Sequence, residues 1–173
     1  RYAAIGRMTE ATSSLTRAAV PAASTNYRVL RRIRENDLVV SNINAVHGAF
    51  AVVPANLDGL VVSPEYTVCR ALNGVDPRLL WMLLRTPESR SDLLLLATGI
   101  GRTRIVWENL KQLQLPLPEE NLADEAVRAI RDAERKEAEA VALRESITRK
   151  FESCLGMDNQ ESRDILEAFR PPK

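Results

Sequence analysis

The side chains best suited to chemistry in this chain are its arginines. Arg28, Arg31, Arg32 and Arg34 cluster ahead of an apolar run, and Arg102 and Arg104 flank Thr103 directly after Gly99-Ile100-Gly101. A guanidinium donates two parallel hydrogen bonds from a planar fork, which suits it to phosphate oxygens and to the O6/N7 edge of guanine. Asn42 and Asn44 offer the amide geometry that pairs with adenine, and His47 stands nearby. Asn42, Asn44, His47, Arg102, Thr103, Arg104, Arg32 and Arg34 therefore form a candidate set for contacting a nucleic-acid groove. The same arginines also fit an ordinary solvated surface from an organism that prefers Arg to Lys. Composition alone leaves both readings open.

Catalytic patterns are scarce. There is no phosphate-binding Gly-Lys-Ser/Thr loop, and Gly99-Ile100-Gly101 lacks the third glycine and the strand-then-helix context of a dinucleotide site. A nucleophile elbow of the Gly-x-Ser-x-Gly kind is absent, and His47 is the sole imidazole on which a Ser–His–Asp arrangement could be built. Asp132, Glu134 and Lys136 mimic a nuclease set, but they fall in a charged, Ala-rich stretch where i,i+4 ion pairing explains them better. One His and two Cys, Cys69 and Cys154, cannot make a zinc site of the usual kind unaided. Their isolation in apolar surroundings suggests buried, reduced thiols and a cytoplasmic setting. The expectation is a chain with no catalytic residue and no metal.

These side chains must be positioned by what surrounds them. At 173 residues the chain makes one full-sized domain, or a domain plus an appendage. Its net charge of +1 conceals a division at Pro118. Residues 1–118 hold 14 Lys/Arg against 9 Asp/Glu, a net +5, and residues 119–173 hold 10 against 14, a net −4. The longest apolar run, around Leu93 to Ala97, is far short of the ~20 residues that cross a bilayer. No membrane partner is expected. Arg1 in place of Met, with no signal-like segment behind it, suggests a trimmed or processed start.

The first part reads as short strands at Asp37–Ser41, Phe50–Val53, Leu60–Val62 and Tyr66–Cys69, with Tyr2–Ile5 and Tyr27–Leu30 as further candidates. Thr9 to Thr25, rich in Ala, Ser and Thr, reads as a surface loop. Asp76-Pro77 starts a helix, and a second runs from about Pro87 to Leu96. Arg104–Val106 returns to strand, Trp107–Leu110 makes one helical turn, and the prolines at 116 and 118 keep Leu113–Pro118 extended. After Pro118 neither Gly nor Pro occurs until Gly156. There Leu122, Ala126, Ala129, Ala133, Lys136, Ala140, Leu143, Ile147, Lys150 and Cys154 follow the four-and-three spacing of a coiled-coil seam. A helix of about 34 residues would be roughly 50 Å long. Its seam is mostly Ala, so it either needs a partner helix or folds back on its own domain. The fold class is thus α+β: a compact mixed strand and helix domain over 1–118, a long coiled-coil-type helix over 119–155, and a short returning helix over 156–173.

The order of these features resembles a known family. The block from Asn36 to Asn44, the strand Ala49–Val53 after Gly48, and Val62-Ser63-Pro64-Glu65-Tyr66-Thr67-Val68 are similar to the core of a target recognition domain. Such domains belong to the specificity subunits of type I restriction–modification enzymes. Thr98 to Ile105, the turn through Leu110 and the extended Leu113–Pro118 segment leading into a long helix agree with it, so the resemblance spans roughly residues 27 to 155. It implies double-stranded DNA as ligand, with the Arg-bearing domain reading one half of a bipartite site. It implies an adenine-methylating modification subunit as partner, which would bring S-adenosylmethionine, and a restriction subunit joined indirectly. The long helix would be a spacer, packing on a second copy or a second recognition domain through Ala126, Ala129, Ala133, Ala140, Leu143 and Ile147. A full subunit carries two recognition domains and two spacers, so this chain reads as a dimerising half-subunit, a fragment, or the recognition end of a fused methyltransferase. The alternative from a different class is a coiled-coil scaffold protein without base recognition.

Overall fold

The turn Arg34–Asp37 delivers the chain into Leu38-Val39-Val40-Ser41, a strand buried along its whole length. Period-two geometry sends alternate side chains to opposite faces, so four buried residues in a row require cover on both sides. Leu38 and Val40 join Ala45, Phe50, Leu84, Leu93, Ile105 and Leu110 in one core. Val39 joins Ile33, Ala51, Val53, Leu57 and Val62 in another. The two cores sandwich this strand.

The structure is a computed structural model, and it describes residues 2–5, 17–20, 27–99 and 103–154. Its class is α+β. In chain order the strands are β1 (Tyr2–Ile5), β2 (Arg17–Val20), β3 (Arg31–Arg32), β4 (Leu38–Ser41), β5 (Phe50–Val52), β6 (Val61–Val62) and β7 (Tyr66–Cys69). Among the described residues they form two sheets, ordered β2-β1-β6-β3 and β5-β4-β7. β4 is antiparallel to both neighbours, with Val39 opposite Ala51 and Val68. A 3-10 turn, Ala45–His47, links β4 to β5 and closes on Gly48 at φ 78°, a left-handed angle that glycine adopts freely.

Two expected helices have the caps their sequences advertise. α1 (Pro77–Leu84) starts where Asp76 accepts from the Arg78 N–H, and α2 (Pro87–Leu96) where Thr86 accepts from the Ser89 N–H. α1 packs on β5, where the Trp81 indole N–H donates to the Phe50 carbonyl at 3.1 Å, and α2 packs on the 3-10 turn. α3 is the single turn Trp107–Leu110. α4 runs Glu120–Cys154, 35 residues without a buried one.

Several sequence expectations need correcting. Tyr27–Leu30 is not strand; pairing begins only at Arg31. The Thr9–Thr25 stretch contains β2, which pairs antiparallel with β1, and its other residues lie outside those described. Arg104–Val106 forms no strand, only an isolated bridge from Arg104 to Thr98. Cys154 is exposed, not buried, while Cys69 is half-buried, and both are free thiols. The returning helix expected over 156–173 lies outside the described residues.

The chain divides into two compact units, Arg1–Val127 and Arg128–Lys173. Every strand and α1 to α3 belong to the first. In the second, Lys136 pairs with Asp132 at 2.6 Å and Arg135 bridges Asp132 and Glu139. Lys136 first and Arg135 second hold the Asp132 carboxyl below its usual range. Asp132 and Lys136 of the nuclease-like set are thus tied into a surface network of i,i+3 and i,i+4 ion pairs.

Candidate nucleic-acid interface

Asn42 follows directly on β4 and ties three segments together. The Thr67 hydroxyl donates to its Oδ1 at 2.7 Å, and its Nδ2 donates to the Pro64 carbonyl at 3.2 Å. Its backbone N–H donates to the Glu65 carbonyl, and its own carbonyl accepts from the Ile105 N–H, both at 2.9 Å. The amide expected to face adenine is therefore engaged at both ends inside the domain. Asn42 fixes the frame on which other side chains are displayed.

Asn44 and His47 are exposed on the 3-10 turn that follows. The Asn44 backbone N–H donates to the Ser41 hydroxyl at 3.3 Å, and its carbonyl accepts from His47 and Ala49, so the turn is held by backbone and the Asn44 side chain makes no capping bond. Arg104 stands at the exit of the glycine–arginine loop. Thr98 and Arg104 exchange two backbone hydrogen bonds, at 2.9 and 2.7 Å, and close the loop at its base. Thr103 is half-buried there, and Arg102 lies outside the described residues. The Asn42–Ile105 hydrogen bond joins this loop base to the end of β4, so Asn42 and Arg104 are brought to one place.

The other two arginines are distributed differently. Arg32 is exposed on β3, pointing opposite to Arg31 by strand alternation. Arg34 is exposed in the turn before β4, at the opposite end of that strand from Asn42, and its N–H donates to Asp37. The structure does not bring Arg34 together with Asn42 and Arg104.

Sequence reasoning missed three residues here. Glu65 faces Arg104, with Arg104 Nη2 donating to Oε1 at 3.3 Å and Nη1 lying 3.1 Å from Oε2. Arg31 and Trp107 line an open groove of about 470 Å³, together with Asn42, Thr67, Val106 and Glu108. Trp107 is 47% exposed, unusual for so large an apolar surface. A half-exposed indole beside a guanidinium offers stacking and charge to a polyanion with planar bases. No sequence signal marks Glu65, whose partner is 39 residues away. Trp107 opens the predicted helical turn, and that turn alone does not reveal which way the ring faces.

At the end of β4 opposite Asn42, Asp37 is buried and held by Arg70, whose Nε donates to Oδ1 at 3.0 Å and Nη2 to Oδ2 at 3.3 Å. Burial first, and Asp37 second, push the Cys69 thiol up to about 11 from an ordinary 9.0. This thiol is protonated at neutral pH and is no nucleophile. Among the described residues, no group of three or more His, Cys, Asp and Glu side chains could hold a metal ion, and no helix is long and apolar enough to cross a membrane.

Two solved structures are similar to this chain in fold. The HsdS subunit from Thermoanaerobacter tengcongensis aligns with a TM-score of 0.57 and 20% identity, over 81% of this chain and 36% of that one. The fold is that of HsdS. A second match comes from work on the structural basis of complex assembly and conformational transition of the type I R-M system, with a TM-score of 0.52 and 20% identity, over 91% of this chain and 40% of that one. The chain thus spans well under half the length of either neighbour. No protein-family model matches it, and no curated protein does. The resemblance read from the motif order is borne out at the level of fold.

Proposed function

We propose that this chain is a sequence-specific reader of double-stranded DNA in a type I restriction–modification complex, and that it carries no catalytic residue itself. The observation supporting this most directly is the HsdS fold along most of the chain. The exposed polar side chains on the Asn42–Ile105 junction fit the reading: Asn44, His47 and Arg104 project from a frame that hydrogen bonds hold rigid. Rigid presentation matters because base readout depends on side chains meeting base edges in a fixed plane, whereas phosphate contacts mainly set position. The chain would read one half of a bipartite site in the cytoplasm. An adenine-methylating modification subunit would bind S-adenosylmethionine and extract the target base, since methylation requires an adenine turned out of the duplex. A restriction subunit would join indirectly.

In this reading α4 is the spacer. Leu122, Leu143, Ile147 and Phe151 are exposed along it. Ala126, Ala129, Ala133, Ala140, Leu143 and Ile147 repeat at three and four residues, the spacing that meets a partner helix. That partner would be a second copy or a second recognition domain.

Co-expression with a modification subunit tests the proposal. The purified complex, given labelled S-adenosylmethionine and a library of duplexes, should methylate adenines only within one recurrent sequence. Failure of the two proteins to co-purify, or methylation without sequence preference, would contradict it.

A further inference from the structure

Resting on the DNA-reading role above, we propose that Glu65 is a specificity-determining positioning residue: its carboxylate orients Arg104 toward a guanine edge and away from backbone phosphate. The two side chains come from different segments, and each is fixed at its root. The Glu65 carbonyl accepts from the Asn42 N–H at 2.9 Å, and the next residue, Tyr66, opens β7. Arg104 is held by its paired backbone bonds with Thr98, and Ile105 after it by the Asn42 carbonyl. An ion pair anchored on both sides by hydrogen-bonded backbone loses little entropy on forming, unlike the usual pair of free surface chains.

The carboxylate depends on its partner. Oε2 of Glu65 is shut off from solvent and accepts no aligned hydrogen bond, so the Arg104 guanidinium 3.1 Å away supplies its compensating charge. Arg104 itself is 45% exposed. A guanidinium has five N–H donors in one plane. Glu65 engages the Nη end, so the Nε–H and the second Nη2–H remain as a pair of donors not used by the carboxylate.

This arrangement separates two ligands that Arg usually takes equally well. Phosphate is attracted chiefly by net positive charge, and beside Glu65 the charge of Arg104 is cancelled. Guanine asks for two parallel donors toward O6 and N7 and carries no net charge, so a neutralised but rigid fork still satisfies it. A carboxylate behind the guanidinium also repels an approaching phosphate. Glu65 thereby suppresses sequence-independent binding at this point while preserving base readout.

The test uses the full chain with its modification subunit, as wild type, Glu65→Gln and Arg104→Lys. A randomised duplex pool first defines the preferred site. Affinity is then measured over a salt series for that site, for single-position variants of it, and for random duplex. Arg104→Lys keeps a cation opposite Glu65 but has no fork, so guanine preference at one position should fall roughly tenfold while the random-duplex salt slope stays as in wild type. Glu65→Gln frees the charge, so the random-duplex slope should steepen by about one unit and the same guanine preference should weaken. An unchanged slope or an unchanged preference in Glu65→Gln overturns the assignment. If that variant does not fold, Arg104→Lys decides, and retention of guanine preference there overturns it equally. A wild-type complex that enriches no site would defeat the DNA-reading role itself, whereas a wild-type site left intact by these substitutions defeats only the assignment of Glu65.

Discussion

Asp37 is buried at the start of β4, and three hydrogen bonds hold its carboxylate: one from the Arg34 N–H at 2.9 Å and two from Arg70 at 3.0 and 3.3 Å. Removing one partner of a buried charged pair costs far more than losing a surface pair. Arg70 is largely exposed, so it is Arg70→Ala, which leaves the buried Asp37 carboxylate without its charge partner, that should destabilise the domain by about 3 kcal/mol, measured as a shift in the urea midpoint without a change in slope. Cys69 gives a second prediction. Its thiol titrates near 9.0 in the unfolded chain and about 11 in the fold, so the folded state holds its proton longer. Stability from this group is full below pH 9 and is lost as pH climbs toward 11. Stability across that range should fall off more steeply for wild type than for Cys69→Ala, and parallel curves would refute the shift. At this scale the sequence was partly legible. Residue types alone nominated Arg104 and Asn42, but types cannot tell a displayed amide from one engaged at both ends. The Asn42 contacts reach Pro64, Thr67 and Ile105, all distant in sequence.

Elements were readable where their causes are local. Asp76-Pro77 and Thr86-Pro87 each place a capping oxygen before a helix-compatible proline, and both helices start there. The strand Leu38–Ser41 was evident from its apolar run. β2 was not, because Arg17–Val20 owes its strand state to pairing with β1, and its Ala-rich composition gives no β signal of its own. Arg104–Val106 failed in the opposite direction: β-branched residues are present, but beyond the Thr98 bridge no strand receives them. α4 was legible from the lack of Gly and Pro and from its periodicity, though the apolar side includes Phe151, four residues after Ile147, where the seam had been assigned to Lys150. Ala133 is exposed mid-helix, so Ala133→Pro should cost about 3 kcal/mol or more of helix stability. The expected outcome is loss of ellipticity at 222 nm together with loss of assembly by light scattering. An oligomer that survives with unaltered helicity would contradict the proposed spacer role of α4.

For the molecule as a whole, charge divides at Pro118 as the proposed function requires. Residues 1–118 carry 14 Lys/Arg against 9 Asp/Glu, and residues 119–173 carry 10 against 14. Under that proposal the basic part would face a polyanion, and the acidic-leaning helix would be left for protein partners. The class α+β and the order of strand block, glycine–arginine loop, proline segment and long helix were open to sequence reasoning, because each follows from local pattern. Which side chains converge was not, since convergence is made by β4, β7 and the loop base meeting across long separations. Binding to random duplex should weaken with added salt, with log–log slope near −0.9 for each phosphate neutralised. The most direct measurement of the central claim is enrichment of a randomised duplex pool on the purified chain, with and without a co-expressed modification subunit, at near-physiological salt. DNA reading predicts a gapped or half-site motif with guanine at a position that Arg104→Lys relaxes. Recovery of random DNA alone in both arms, from a chain shown separately to be folded, would contradict it and leave a coiled-coil scaffold without base recognition.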